Sequence, residues 1–183
     1  VDYLLLTQQV WNHPGIHIDT FGGFTVQNTD NEWSDAREAL CALVLYWYYL
    51  ETKEWEYLER AVAAMHSGFQ ILPYENWAHC GYEGMQYDSS LLWGCGTILS
   101  AAEFMDRVIG EIAVSAEEQK AVGLWGIRVD RVEITGREIH ISAHIPEPLF
   151  RSENIRKNGL RVKVFDMADA AVYVNGEPAV QTC

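Results

Sequence analysis

Residues 73–96, PYENWAHCGYEGMQYDSSLLWGCG, hold the side chains best suited to chemistry. Glu75 stands there among Tyr74, Asn76 and Trp77. A carboxylate held among aromatic rings loses part of its hydration, which raises its pKa and suits it to general acid or base catalysis near neutral pH. The alternative is an acid in an exposed loop whose glycines serve only to turn the chain. Glu75 is therefore the first candidate catalytic residue.

A second acidic stretch, IHIDTFGGFTVQNTDNEWSDAR at residues 16–37, precedes a strongly apolar segment. As a loop at the mouth of a pocket, it would offer Trp33 as a stacking platform and Asp19 or Asp35 as an acid that orients a sugar hydroxyl. The alternative is that these residues cap a helix and form turns, as Asp and Asn commonly do. Trp33, Asp19 and Asp35 are therefore candidate site residues.

A metal site is a third possibility in the same region. His79, Cys80 and Cys95 could supply three ligands of a tetrahedral zinc ion. The segments HCGYEG and WGCG resemble the zinc motifs of lanthionine cyclases, although in reversed order along the chain. Adjacent His and Cys residues form an awkward chelating pair, and the four cysteines show no Cys-x-x-Cys spacing. We therefore expect no metal and no other cofactor.

The charge of the chain excludes several classes of partner. The 183 residues include 13 Lys and Arg and 26 Asp and Glu, a formal net charge of −13. Such a chain is repelled by nucleic acid and by anionic lipid surfaces. The sequence contains no apolar run of membrane-spanning length and no basic segment at its start, so neither a membrane span nor a signal peptide is expected. We expect a soluble protein, and the uncapped start DYLLLTQQVW predicts that it is part of a longer polypeptide.

The pattern of apolar residues predicts two regions, 1–110 and 111–183. In the first, Ser34 is a candidate N-cap for a helix that is apolar on nearly every side, which predicts burial between two layers. A short link joins it to a helix with a one-sided apolar stripe from Trp55 to Leu72, which predicts an antiparallel hairpin. A third helix is expected over residues 89–107.

The second region alternates apolar and polar residues at the period of a half-buried strand. In REIHISAHI, Ile139 and Ile141 alternate with His140 and Ser142. Asn175-Gly176 is the strongest hairpin signal in the chain. This region is predicted to be a small antiparallel β unit.

The order of these segments resembles the C-terminal portion of the six-hairpin glycosidases, enzymes built as (α/α)6 toroids. The likeness covers residues 30–148 and depends on a helical hairpin followed by LPYENWAHCGYEG, LLWGCGTILSAAEF and GREIHISAHIPEP. It implies an α+β fold in which antiparallel helical hairpins of a toroid precede the β unit. It further implies that Glu75 is the general base of an inverting hydrolysis, with Tyr74, Asn76, Trp77 and Trp93 as walls of the sugar pocket.

We therefore predict that the chain is the C-terminal part of a carbohydrate-active protein that resembles inverting glycoside hydrolases. Asp19 or Asp35 would be the partner acid, and Trp33 an added sugar-stacking residue. The expected partner is an oligo- or polysaccharide, and a homo-oligomer is expected because the apolar helix needs cover on two sides. Two alternatives stay open: a non-catalytic glycan-binding or scaffold protein, and a metal-dependent enzyme that uses His79, Cys80 and Cys95.

Overall fold

A computed structural model describes residues 1–10, 21–24, 33–35, 39–75, 79–81, 91–145 and 159–182 of the chain. Within these ranges, the side chains of residues 33–35, 39, 70–75, 79–81 and 91–98 are not described. The chain forms two compact units, Val1–Phe104 and Met105–Cys183, called here the N-terminal and C-terminal units. The predicted domain division between residues 110 and 111 stays a prediction.

The N-terminal unit is mainly helical. Its elements are α1 (Asp2–Thr7), β1 (Trp33–Asp35), α2 (Ala39–Thr52), α3 (Trp55–Glu75), β2 (His79–Gly81) and α4 (Leu91–Ile109), the last of which continues into the C-terminal unit. Strands β1 and β2 pair antiparallel. Among the described residues, no helix is both long and apolar enough to cross a membrane.

Helices α2 and α3 form the predicted antiparallel hairpin. The link between them is two residues long, and Lys53 within it has a left-handed φ of 63°. Ring pairs fasten the two helices beside the link: Tyr48 meets Tyr57 edge to face with ring centroids 4.6 Å apart, and Tyr49 meets Trp55 at 6.3 Å. Farther from the link, the α3 stripe buries Leu58, Met65 and Phe69, among others.

Two expectations about α2 are wrong. The helix begins at Ala39, and Ser34, the expected N-cap, lies in strand β1, where it pairs with Cys80. The helix is also not covered on both sides, because Leu45 and Tyr46 are fully buried while Leu40 is 57% and Trp47 50% exposed. Apolar residues around a whole helix favour its burial, but they do not identify the elements that would cover it.

A glycine ties the N-terminal end of the unit to α3. Gly22 has a φ of +86°, and a Cβ atom at this position would lie 2.5 Å from the Cβ atom of Ala63. The Gln8 side-chain amide donates to the carbonyl oxygens of Gly22 and Arg60 at 2.8 and 2.9 Å. Backbone can approach α3 this closely only without a side chain.

The C-terminal unit is a β-sandwich. Its strands are β3 (Ile112–Ser115), β4 (Lys120–Gly123), β5 (Arg128–Thr135), β6 (Glu138–His144), β7 (Arg161–Phe165), β8 (Ala171–Val174), β9 (Glu177–Pro178) and β10 (Val180–Thr182). The first sheet has the order β10-β7-β3-β4 and the second the order β5-β6-β8-β9. Inward residues of both sheets share one apolar cluster, including Ile112 and Val162 from the first sheet and Ile139 and Val172 from the second. The core is therefore the layer between the sheets.

The predicted Asn175-Gly176 hairpin is confirmed. Both residues have positive φ, 51° and 84°, and they join β8 to β9 with Val174 paired to Glu177. This is the geometry of a two-residue turn with left-handed conformations at both central positions, which Asn-Gly adopts at low cost.

The predicted toroid is wrong, and so is the resemblance that implied it. The described residues form four helices, one two-stranded sheet and two four-stranded sheets, an α+β fold with one helical hairpin. The sheets are also not purely antiparallel, since β3 and β10 each run parallel to β7, and β6 runs parallel to β8. Consecutive strands such as β6 and β7 lie in different sheets. A strand that rejoins a sheet after such a crossing can run parallel or antiparallel to its neighbour there. Alternation identifies strands but not their neighbours.

Candidate functional site

The solvent-facing side of the second sheet carries a group of described polar side chains. Along β6, Ile139 and Ile141 are buried while Glu138, His140, Ser142 and His144 are exposed. Residues directly opposite on neighbouring strands share a face. This surface, called here the polar face, consists of Arg128, Asp130, Arg131, Glu133, Glu138, His140, Ser142, His144 and Tyr173.

A stacked ring pair lies at the centre of the polar face. His140 and Tyr173 are opposite each other on β6 and β8, with ring centroids 5.0 Å apart and planes within 10° of parallel. Glu133 flanks His140 on β5, and Pro178 flanks Tyr173 on β9, so that one row crosses all four strands. Small residues border this row, Ala171 on one side and Ser142 on the other. The ring pair is therefore bordered by both small and charged side chains.

A β-bulge adds a second polar pair to the same face. The pairing of β5 with β6 shifts between Val129 and Arg131, and both Asp130 and Arg131 are exposed. A bulge places two successive side chains where regular pairing would place one. The Asp130 Oδ2 atom lies 2.8 Å from the Nδ1 atom of His144, which fixes the orientation of that imidazole.

The charges of the polar face are mixed and nearly balanced. Three carboxylates, those of Asp130, Glu133 and Glu138, accompany the two guanidinium groups of Arg128 and Arg131. Arg131 forms an ion pair with Glu133, and the His140 Nε2 atom lies 3.6 Å from a Glu138 oxygen. These side chains are about half exposed or more, so they remain available to a ligand with many hydroxyl groups.

An ionic cluster joins the end of α4 to the first sheet of the same unit. Two Asp106 oxygens accept hydrogen bonds from one Arg161 nitrogen at 2.6 and 2.7 Å, and Trp125 Nε1 donates to Asp106 at 3.1 Å. The Glu111 carboxylate accepts the backbone N–H of Arg161 at 2.8 Å. Burial raises the pKa of Glu111, while the N–H and the guanidinium of Arg161 oppose that rise. The cluster is structural, because its members are engaged with one another.

The structure places several predicted site residues without describing their side chains. Glu75 is the last residue of α3, Tyr74 precedes it, and Trp93 lies in α4. Asp19, Asn76 and Trp77 lie outside the described residues. The roles predicted for these six residues stay predictions.

The structure brings two of the predicted segments together. Trp33 pairs with Gly81, Ser34 with Cys80, and Asp35 with His79, across strands β1 and β2. The acidic stretch therefore lies beside the segment that follows Glu75. For the zinc alternative, Cys95 lies in α4, and the described side chains include no group of three potential metal ligands. The side chains of His79, Cys80 and Cys95 are not among them, so that alternative stays untested.

Sequence reasoning identified the strand of the polar face but not the site. The alternation of His140, Ser142 and His144 with isoleucines was visible, and two histidines on one strand face were the available signal. Tyr173 could not be placed beside His140 because their strands are separated by more than 20 residues and pair in parallel.

No protein-family model, no curated protein and no solved structure matches the chain. The geometry of the described residues therefore carries the functional argument.

Proposed function

We propose that the chain binds carbohydrate through the polar face, without chemical turnover at that surface. The observation that carries this proposal is the stacked pair of His140 and Tyr173 on the solvent-facing side of the second sheet. Aromatic side chains present an apolar body with a polar handle, which suits the apolar C–H groups and hydroxyl groups of a sugar ring.

The flanking charges support a neutral saccharide. Carboxylates accept hydrogen bonds and guanidinium groups donate them, often in pairs, so that Glu133, Glu138 and Arg131 offer both partners that vicinal hydroxyl groups need. A polyanionic glycan would meet a chain with a formal net charge of −13. Long-range repulsion therefore favours neutral or amino sugars over sulfated and uronic-acid polymers.

Affinity electrophoresis against xylan, mannan, arabinan and β-glucan tests the proposal, with the full chain and its Tyr173→Ala variant. We expect retardation by at least one polysaccharide and about a tenfold or greater loss of affinity in the variant, since one central aromatic contact commonly carries that much binding. Tyr3→Ala is the matched control, because Tyr3 is an aromatic residue that is 57% exposed on α1 of the N-terminal unit. Equal retardation of the two variants would refute the proposal.

A second candidate function is glycoside hydrolysis with Glu75 as base and Asp35 as acid. The backbone supports it, since Asp35 pairs with His79, four residues after Glu75. Four extended residues span at most about 14 Å, which allows the separation of roughly 6.5 to 9.5 Å that inverting enzymes need between their carboxyl groups.

Release of 4-nitrophenol from a panel of aryl glycosides tests this second function. Glu75→Gln and Asp35→Asn should each abolish turnover, whereas Glu103→Gln, an exposed acid on α4, should leave it unchanged. Absence of turnover in the unmodified chain, or turnover that survives Glu75→Gln, would exclude the role of Glu75.

A further inference from the structure

The C-terminal unit contains a pocket of about 280 Å³ at the β9 edge of the sandwich, called here the edge pocket. Its walls are mainly apolar and include Ile127, Ile145, Leu160, Val174 and Ala179. His144, Asn175 and Glu177 supply its polar groups among the described residues. An apolar concavity with a few polar groups at its rim is the usual form of a small-molecule site.

The register of the hairpin directs Glu177 toward the interior side of the sheet. Val174 is 5% exposed within the core, and Glu177 is the residue directly opposite it on β9. Opposite residues of an antiparallel pair share a face, so the Glu177 carboxylate lies on the side of the apolar walls. An alternative role for Glu177 is to discourage edge-to-edge pairing with another sheet, as inward charges and prolines such as Pro178 do on edge strands. Protection of the edge alone would not require an apolar pocket beside the charge.

The turn that presents Glu177 is held rigidly. The Asn175 side chain donates to the Ala143 carbonyl at 2.7 Å and accepts from the Ala143 N–H at 3.0 Å. The Asn175 backbone N–H donates to the carbonyl of Ile141 at 2.8 Å. These three hydrogen bonds to β6 fix the backbone position of the turn that leads to Glu177. A ligand would therefore lose little binding free energy to the ordering of this turn.

Among the described residues that line the edge pocket, Glu177 is the only carboxylate. It has no hydrogen-bond or ion-pair partner among the described residues. His144 is already engaged by Asp130. Arg128, opposite His144 on β5, is three strand positions from β9, or about 14 Å, which exceeds the screening length at physiological salt.

We propose that the edge pocket binds an organic cation, an amine with an apolar body of up to about a dozen non-hydrogen atoms, whose ammonium group pairs with Glu177. The apolar body contacts Ile127, Leu160 and Val174, and the rigid Asn175 turn holds the carboxylate at the mouth. His144 belongs both to this pocket and to the polar face, but the cation is bound by Glu177, so the proposal does not depend on carbohydrate binding.

Three ligands of matched size test the proposal by NMR titration of the full chain: phenethylamine, 2-phenylethanol and 3-phenylpropionate. We expect saturable shifts of the β8, β9 and Leu160 amides with phenethylamine, and affinity at least tenfold weaker for the other two. Glu177→Gln should weaken phenethylamine at least about fivefold and leave phenylethanol unchanged, because only the ionic contact is removed.

Two further variants make the result decisive. Ala179→Phe should abolish binding of every ligand by filling the pocket, and Glu117→Gln, an exposed acid between β3 and β4, should change nothing. Equal binding of phenylpropionate, an unchanged affinity in Glu177→Gln, or no saturation up to about 10 mM phenethylamine would overturn the proposal.

Discussion

Replacement of Arg161 by Met tests the buried ionic cluster of the C-terminal unit. The Arg161 side chain is 43% exposed, whereas the two acidic side chains that it pairs with are largely buried: Asp106 is 14% and Glu111 9% exposed. The Met side chain keeps the apolar stem and leaves both carboxylates without their cation. Removal of one partner from a fully buried pair costs about 3 to 5 kcal/mol, and water reaches this guanidinium, so we expect about 2 kcal/mol.

Hydrogen exchange followed by mass spectrometry measures this loss within the C-terminal unit. A cost of about 2 kcal/mol corresponds to roughly 30-fold faster exchange of those β3 and β7 amides that exchange through opening of the whole unit. Arg131→Met is the matched control, because Arg131 and Glu133 are 72% and 51% exposed. That surface pair should contribute less than about 0.5 kcal/mol.

The pH dependence of the same variant follows from the raised pKa of Glu111. The folded-state pKa of Glu111 lies above the unfolded value. The burial of its ionised carboxylate therefore costs no stability below the ordinary value of 4.5, and this cost appears as pH rises through the folded value. Arg161→Met keeps the backbone N–H that binds Glu111 but removes the guanidinium charge that lowers this pKa, and so raises the pKa further. The excess exchange of Arg161→Met should therefore be larger at pH 7 than near pH 4.5. Equal exchange in the two arginine variants, or a penalty that grows toward low pH, would refute the reasoning.

Three further predictions concern the two units separately. Gly22→Ala should lower the free energy of unfolding of the N-terminal unit by about 2 kcal/mol or more in urea, because its Cβ atom would meet Ala63 at 2.5 Å and its φ is positive; an unchanged midpoint would contradict this. Burial raises the pKa of Tyr46 to about 12, and its hydroxyl has no hydrogen-bond partner in the described part of the chain. Tyr46→Phe should therefore cost less than about 0.5 kcal/mol at pH 7. It should also remove the loss of stability that ionisation of Tyr46 causes between about pH 10 and 12, as followed by absorbance and thermal melting. Asn175→Gly keeps the turn but loses both bonds to Ala143, so its melting should show a loss of about 1 kcal/mol, and Asn175→Ala a larger one.

Local patterns predicted local structure well. The one-sided stripe of α3 identified its buried residues, because a helical period leaves only one face for a neighbour. Asn175-Gly176 identified its turn, because few other residue pairs adopt two left-handed conformations at low cost. Ser34 misled, because its side chain is equally suited to begin a helix or to lie in a short strand, and pairing with Cys80 decided the outcome.

Features that join distant segments could not be predicted. Arg161 meets Asp106 from 55 residues away, and no local pattern specifies that pairing. The ring pair of the polar face likewise requires β6 and β8 to be parallel neighbours, which alternation leaves open. The glycine-rich segment near Glu75 resembled a toroid loop, but the described helices do not continue into further hairpins. Short likenesses of this kind fix neither a fold nor a function.

The most direct test of carbohydrate binding is an NMR titration of the isotope-labelled chain with the oligosaccharide of the best-retarding polysaccharide. The account predicts shifts concentrated on the amides of β5, β6 and β8 around His140 and Tyr173, with the β3 and β7 amides unchanged. Shifts concentrated in the N-terminal unit or on the first sheet, or none at saturating ligand, would contradict it.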